Sequence, residues 1–163
     1  MEPSRSRKPA VTAVFHDRPL SAGEEPAPGM RVLSPRMGYL HHGIYVGAGR
    51  VVHYEGRAWG LFGGRVEEVS LARFGRGRGV WVRPTPRSSA FTTREIVRRA
   101  RARVGEARYR ILANNCEHFC EWCVHGSPRS YQVEQLLKSF RPLLAIAKLV
   151  VARAGSQLEV GAP

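Results

Sequence analysis

A chain of 163 residues fits one domain with one hydrophobic core and leaves little for a second. Hydrophobic residues make up 43%, as in an ordinary globular protein, while a net charge of +13 favours acidic partners: nucleic acid, anionic lipid or an acidic protein. Nearly all of that excess is arginine, with Lys8, Lys138 and Lys148 the only lysines, a bias that codon usage alone can produce and that weighs little as a sign of function.

Residues 1–27 are rich in Pro, Ser, Arg and Glu without periodicity, and read as a flexible tail, with order expected from Pro28-Gly29. Met30 to Leu33 is a short strand ended by Ser34-Pro35. His41–Val46 and Arg50–Tyr54 are stronger strands joined by Gly47-Ala48-Gly49, which is hairpin punctuation. Arg65–Val69 and Val80–Arg83 are further strands, and between them Ser70 can cap a helical turn ending at Phe74-Gly75. Thr92 or Thr93 starts a helix, with Glu95 completing a capping pattern and Gly105 ending it. A second helix is expected from Asn115 to Gly126, and a third from about Ser130 towards residue 153. Strands first and helices later predict an α+β domain with an antiparallel sheet.

Three cysteines at 116, 120 and 123 are a poor disulfide framework, so a reducing, cytoplasmic setting is expected. No apolar run of signal-peptide type follows the basic N-terminus. The longest apolar stretch, Leu143 to Ala154, is interrupted by Lys148 and Arg153 and is shorter than the ~20 residues that span a bilayer. The expectation is a soluble or peripheral protein.

Asn114-Asn115-Cys116-Glu117-His118-Phe119 is the most informative segment. Asn115 is a good helix N-cap, which puts Cys116 in the first turn, among free N–H groups and at the positive end of the helix dipole. Both effects should lower the pKa of the thiol and make Cys116 a nucleophile, although buried inert cysteines are common. Cys120 and Cys123 share its helix face and read as small core residues. A metal site with His118 or His125 would want a second ligand pair, and none is present. The C-x3-C-x2-C spacing of iron–sulfur enzymes belongs to a loop early in a longer barrel.

A thiol nucleophile needs a base, and the base an orienting partner. His41 and His42 are adjacent and point to opposite strand faces, and a tight hairpin could bring His53 beside one of them. His41-x-Gly43-Ile44-Tyr45-Val46-Gly47, then Val51-Val52-His53, then Asn114-Asn115-Cys116-Glu117-His118-Phe119 resembles the lecithin:retinol acyltransferase-like family, over about Pro28 to Val133. Leu71–Phe74, the Arg94–Gly105 helix, Tyr109 and Trp122-Cys123 belong to the same resemblance. It implies a circularly permuted papain-like fold, a small antiparallel sheet packed against helices. It also implies His41 as base, His53 twelve residues on as orienter and Cys116 as nucleophile. Tyr109 would support the oxyanion, against the plainer reading of a core tyrosine, and His118 would serve structure. Pro28-Gly29-Met30 stands where many relatives carry Gly-Asp, a departure that touches the domain edge.

The resulting expectation is a tail at 1–27, a catalytic domain at 28–133 and a C-terminal helix at 134–163. The chain would be a cysteine acyltransferase or hydrolase acting on lipid acyl esters through a thioester, without metal or organic cofactor. A papain-like amidase or peptidase would use the same triad, and a non-catalytic binding module could keep the same fold. The stripe Leu143, Leu144, Ile146, Ala147, Val150 and Val151 reads as a helix packed on the domain or lying on an anionic membrane. Arg73, Arg76 and Arg78 around Phe74 are the best nucleic-acid feature, but a solvated basic loop is the preferred reading, and nucleic acid is not an expected partner.

Overall fold

The computed structural model describes residues 17–56, 64–85, 89–140 and 142. The α+β expectation holds. Six strands, β1 (Arg18–Pro19), β2 (Arg31–Arg36), β3 (Tyr39–Gly47), β4 (Arg50–Gly56), β5 (Gly64–Ser70) and β6 (Trp81–Arg83), form one sheet in the order β1-β6-β2-β3-β4-β5. Every neighbouring pair is antiparallel. The helices are α1 (Leu71–Gly75), α2 (Thr93–Ala102), α3 (Cys116–His125) and α4 over 131–140.

Side chains of a strand alternate between faces, and here both faces are covered. On one face Ile44, Val46, Val52 and Tyr54 meet Ile96 and Ala100 of α2 and Phe119, Cys120 and Cys123 of α3. On the other, Val32, Tyr45, Val51, Val69 and Val82 surround Phe74 of α1. Strands buried on both sides read as continuous apolar runs, which is why Ile44–Val46 and Val51–Val52 show no polar alternation. Each such side chain stabilises the fold by about 1.5–3 kcal/mol.

The helix caps follow the sequence. Ser70 accepts the N–H of Arg73 to cap α1, and Thr92 accepts that of Glu95 to cap α2. Helix α2 stops at Ala102 and is capped by Arg103, before Gly105 is reached. Strand β2 runs further than expected, through Ser34 and Pro35. Beyond Leu33 it pairs only with β3, because β6 has ended, so an edge is available for a residue without an N–H. Part of the stretch read as a tail is held on the domain. Asp17 accepts two hydrogen bonds from Arg83 at 2.7 and 2.8 Å, and Tyr45 donates its hydroxyl to Glu25 at 2.6 Å. The apolar stripe from Leu143 to Val151 lies outside the described residues.

Candidate active site

Strands β3 and β4 pair at Gly43↔His53, and their ladder does not extend to His42 or His41. The N-terminus of α3 lies beside this opening. The backbone N–H of His42 donates to the Cys116 thiol there. Asn115 sets the helix start by accepting the N–H groups of Glu117 and His118 at 2.9 and 3.0 Å, while His118 Nδ1 accepts the Asn115 N–H at 3.4 Å. His118 therefore serves the cap, as the resemblance implied.

His41 and His53 come together on the α1 face. His41 Nε2 and His53 Nδ1 are 2.9 Å apart, so one donates to the other. The His41 ring stacks on Phe74 at 5.4 Å between centroids, and the His53 ring meets Phe74 edge-on at 5.5 Å. Gly43 is required here: a Cβ on it would come within 2.6 Å of Val51, 2.9 Å of Phe74 and 3.3 Å of His53. His41 Nδ1 is buried without a hydrogen-bond partner among the described residues, and none of their hydrogen bonds joins it to Cys116.

His42 points the other way. Its Nε2 meets the Gln132 amide at 3.2 Å, and that side chain also takes the Leu40 N–H at 3.0 Å and donates to the Leu40 carbonyl at 3.1 Å. Glu117, buried next to the thiol, accepts the Ser130 hydroxyl at 2.6 Å and the Gln132 N–H at 3.0 Å. Glu117, Ser130 and Gln132 thus bind the start of α3 to the start of β3. Nearby, Arg31 and Glu121 form a buried ion pair at 2.7 Å.

Tyr109 lies against the end of β4, where a Cβ on Gly56 would come within 2.9 Å of its ring, and it stacks edge-on with Tyr54 at 5.3 Å. Burial, and then the nearby Cys116, hold its hydroxyl well above the usual phenol range. Tyr39 and Cys116 are close enough to raise the Tyr39 hydroxyl as well, after burial.

The electrostatics correct one expectation. The Cys116 thiol is pushed up to about 11 rather than lowered, because at 3% exposure desolvation outweighs the hydrogen bonds from His42 and the helix start. Cys123 is pushed up to about 12, and Cys120 well above the ordinary thiol value, both by burial. His41 lies well below the usual imidazole value because of burial, then His53, Arg36 and Arg76. Burial and then Arg36, Arg76 and Arg73 hold His53 at about 3. At neutral pH the thiol and both rings are uncharged.

Several residues at the site escaped the sequence reading. Glu55 Oε2 stands 3.5 Å from His53 Nδ1 while its other oxygen binds Arg76 at 2.6 Å. Its place two residues after His53, on the same strand face, was the available signal. The ligand atoms of His41, His53 and Glu55 lie within 4.8 Å of one another, the one such group among the described residues able to share a metal ion. The metal readings had been placed on the cysteine helix instead. Glu117 suits a first helical turn by its charge, but its burial against Ser130 and Gln132 carries no local signal.

The family model described as Lecithin retinol acyltransferase matches residues 24–129. Bovine lecithin retinol acyltransferase (Bos taurus) is 28% identical over 146 residues, covering 74% of this chain and 64% of the relative. Phospholipase A and acyltransferase 2 of Homo sapiens is 32% identical over 133 residues, covering 71% and 82%. Phospholipase A and acyltransferase 4 of Homo sapiens is 29% identical over 153 residues, covering 81% and 90%. The chain spans less than two thirds of the length of the lecithin retinol acyltransferases it matches. With the family model covering well over half of its residues, the chain belongs to the lecithin retinol acyltransferase family.

Proposed function

We propose that this protein is a thiol acyltransferase or phospholipase-type hydrolase that takes the acyl group of a lipid ester onto Cys116. The observation that carries the reading is the thiol held on the backbone of His42, the residue that follows His41 in β3. His41 binds His53 through Nε2, its Nδ1 has no partner among the described residues, and the backbone N–H of the next residue, His42, donates to the thiol. The relatives named for phospholipase and acyltransferase activity support the lipid ester as donor.

In this mechanism the resting thiol is neutral. As Sγ attacks the ester carbonyl, His41 takes the thiol proton, and the imidazolium that forms is shared with His53. Glu55, near His53, offsets part of that charge. The ester C–O bond breaks, the leaving alcohol takes the proton from His41, and the acyl group remains on sulfur as a thioester. Water or an acceptor alcohol or amine then attacks, again giving its proton to His41. Tyr109 is the candidate donor to the oxyanion: raised by burial, its hydroxyl keeps its proton and can donate. The order of His41 and His53 before Cys116 is that of a permuted papain-like enzyme, with 28–133 as the catalytic unit.

Mass spectrometry tests the reading. Phosphatidylcholine should add the mass of one fatty acyl chain, hydroxylamine should remove it, and Cys116→Ala should not acquire it. If phospholipids and simple acyl esters all fail while a peptide or isopeptide is cleaved, the amidase reading replaces this one.

A further inference from the structure

The described residues expose nine large hydrophobic side chains, and eight of them fall on three segments that meet beside Cys116. Met37, Tyr39 and Leu40 form the β2–β3 turn and the start of β3, and the Tyr39 and His41 rings are 6.3 Å apart. Ile111 and Leu112 sit at the tip of the Arg110–Asn114 turn, directly before the cap of α3. Leu136, Leu137 and Phe140 lie on α4. The three segments are tied together. Gln132, at the start of α4, binds both backbone groups of Leu40, and Asn115 donates to the Ile111 carbonyl at 2.8 Å. Val104 is the ninth, away from this cluster.

Basic side chains are interleaved with this rim. Arg108 and Arg110 precede Ile111, and Lys138 lies between Leu137 and Phe140; all three are exposed. Neither arginine forms an ion pair among the described residues. Face-to-face pairing of two copies through this surface would bring these unneutralised cations together. An anionic lipid surface would instead neutralise them while the aliphatic side chains enter the headgroup region.

We infer that this rim docks the protein on an anionic bilayer and places the opening beside Cys116 against the lipid. The inference rests on the lipid-ester reading, and it assigns the contact to the β2–β3 turn, the turn before α3 and the exposed side of α4 rather than to the segment beyond residue 142. The segments around the site enter the interface together, so the thiol faces the ester carbonyls of the headgroup region.

Sedimentation of the full-length protein with vesicles of phosphatidylcholine mixed with phosphatidylglycerol, and with pure phosphatidylcholine, tests it. Binding is expected to the mixed vesicles and to be weaker to the pure ones. The variant Ile111→Ser/Leu112→Ser/Leu136→Ser/Leu137→Ser should lose roughly tenfold or more of the partition coefficient. Arg108→Gln/Arg110→Gln should weaken binding to mixed vesicles and flatten its salt dependence, and Val104→Ser should bind as the parent does. Thermal melting followed by circular dichroism checks that each variant folds. The double arginine variant keeps the test decisive if the serine variant does not fold. Unchanged partition in the serine or arginine variant overturns the inference. So does a parent protein that ignores vesicles, including one that forms a dimer the serine variant disrupts. Acylation of Cys116 from detergent-dispersed phosphatidylcholine is scored separately: its failure with vesicle binding intact overturns the lipid-ester reading but leaves the docking surface standing.

Discussion

At the start of β3 the two faces of the sheet hold one buried histidine each, His41 and His42, at 2% and 1% exposure. Both rings lie well below the usual imidazole value, burial being the main cause, and both leave Nδ1 without a partner among the described residues. Neither burial nor an unpartnered nitrogen therefore separates a base from a strut. What differs is the group on Nε2. His41 meets a second imidazole with a carboxylate behind it, a partner that can take up part of a new positive charge. His42 meets a side-chain amide, which cannot, and Arg31 and Arg83 disfavour charge on it. In the function proposed above the α1 face carries the proton transfer, while the Gln132 and Glu117 hydrogen bonds on the α3 face hold β3 to the helices.

The largest expected effects lie at the thiol at the start of α3 and at the proposed base on the α1 face. Cys116→Ala should abolish acylation, and His41→Ala should lower kcat/KM by about 10²–10⁴-fold, the usual contribution of a general base. His42→Gln should cost less than about tenfold, since it changes no proton-transfer group. Turnover measured on one ester with all three variants checks this. A His42→Gln loss matching that of His41→Ala would mean that the strand register assigned to the site is wrong.

The second face should answer in stability. Removing one partner of a buried ion pair leaves an uncompensated charge, so Arg31→Met should cost about 3–5 kcal/mol, and Arg31→Met/Glu121→Leu should recover most of it. Urea denaturation of both variants measures the difference. Gln132→Ala should cost about 1–3 kcal/mol, because it removes the partner of two Leu40 backbone groups and of His42. An Arg31→Met protein as stable as the parent would show that water or His125 compensates the Glu121 carboxylate left behind.

The contrast between the faces was half legible in the sequence. Period-two alternation puts His41 and His42 on opposite sides, and the Asn115 cap and Gly126 stop fix α3 to the residue. Local rules carry that much. The pairing of His41 rather than His42 with His53 needed the family resemblance, because hairpin register depends on the bulge between Tyr45 and Gly47. The raised thiol was beyond local reasoning. Helix position predicts a lowered value, and only packing by Phe119 and the sheet shows that desolvation wins. The Glu117–Ser130–Gln132 clasp joins residues up to fifteen apart with no periodic signal, so nothing local marks that carboxylate as buried.

The smallest effect is one in which the two faces should become indistinguishable. His41, His42 and His53 are all held below the ordinary 6.5, His53 at about 3. In the unfolded chain each takes a proton near 6.5, whereas the folded protein resists it. Between those values the unfolded state binds more protons, so stability is complete above pH 6.5 and is lost as pH falls below it. Each ring contributes a slope of up to about 1.4 kcal/mol per pH unit. Glu24 and Glu106, whose carboxyls are lowered from 4.5 by Arg18 and Arg103, add their own loss only below pH 4.5, which leaves the window from 6.5 to 4.5 to the imidazoles. Urea midpoints across that window should fall more gently in His42→Gln than in the parent, and by the same amount in His41→Gln, although only the second change should remove turnover. If His41→Gln flattens the slope while His42→Gln leaves it unchanged, His42 is protonated in the folded protein, and the α3 face would then carry a charge that its contacts with Arg31 and Arg83 argue against.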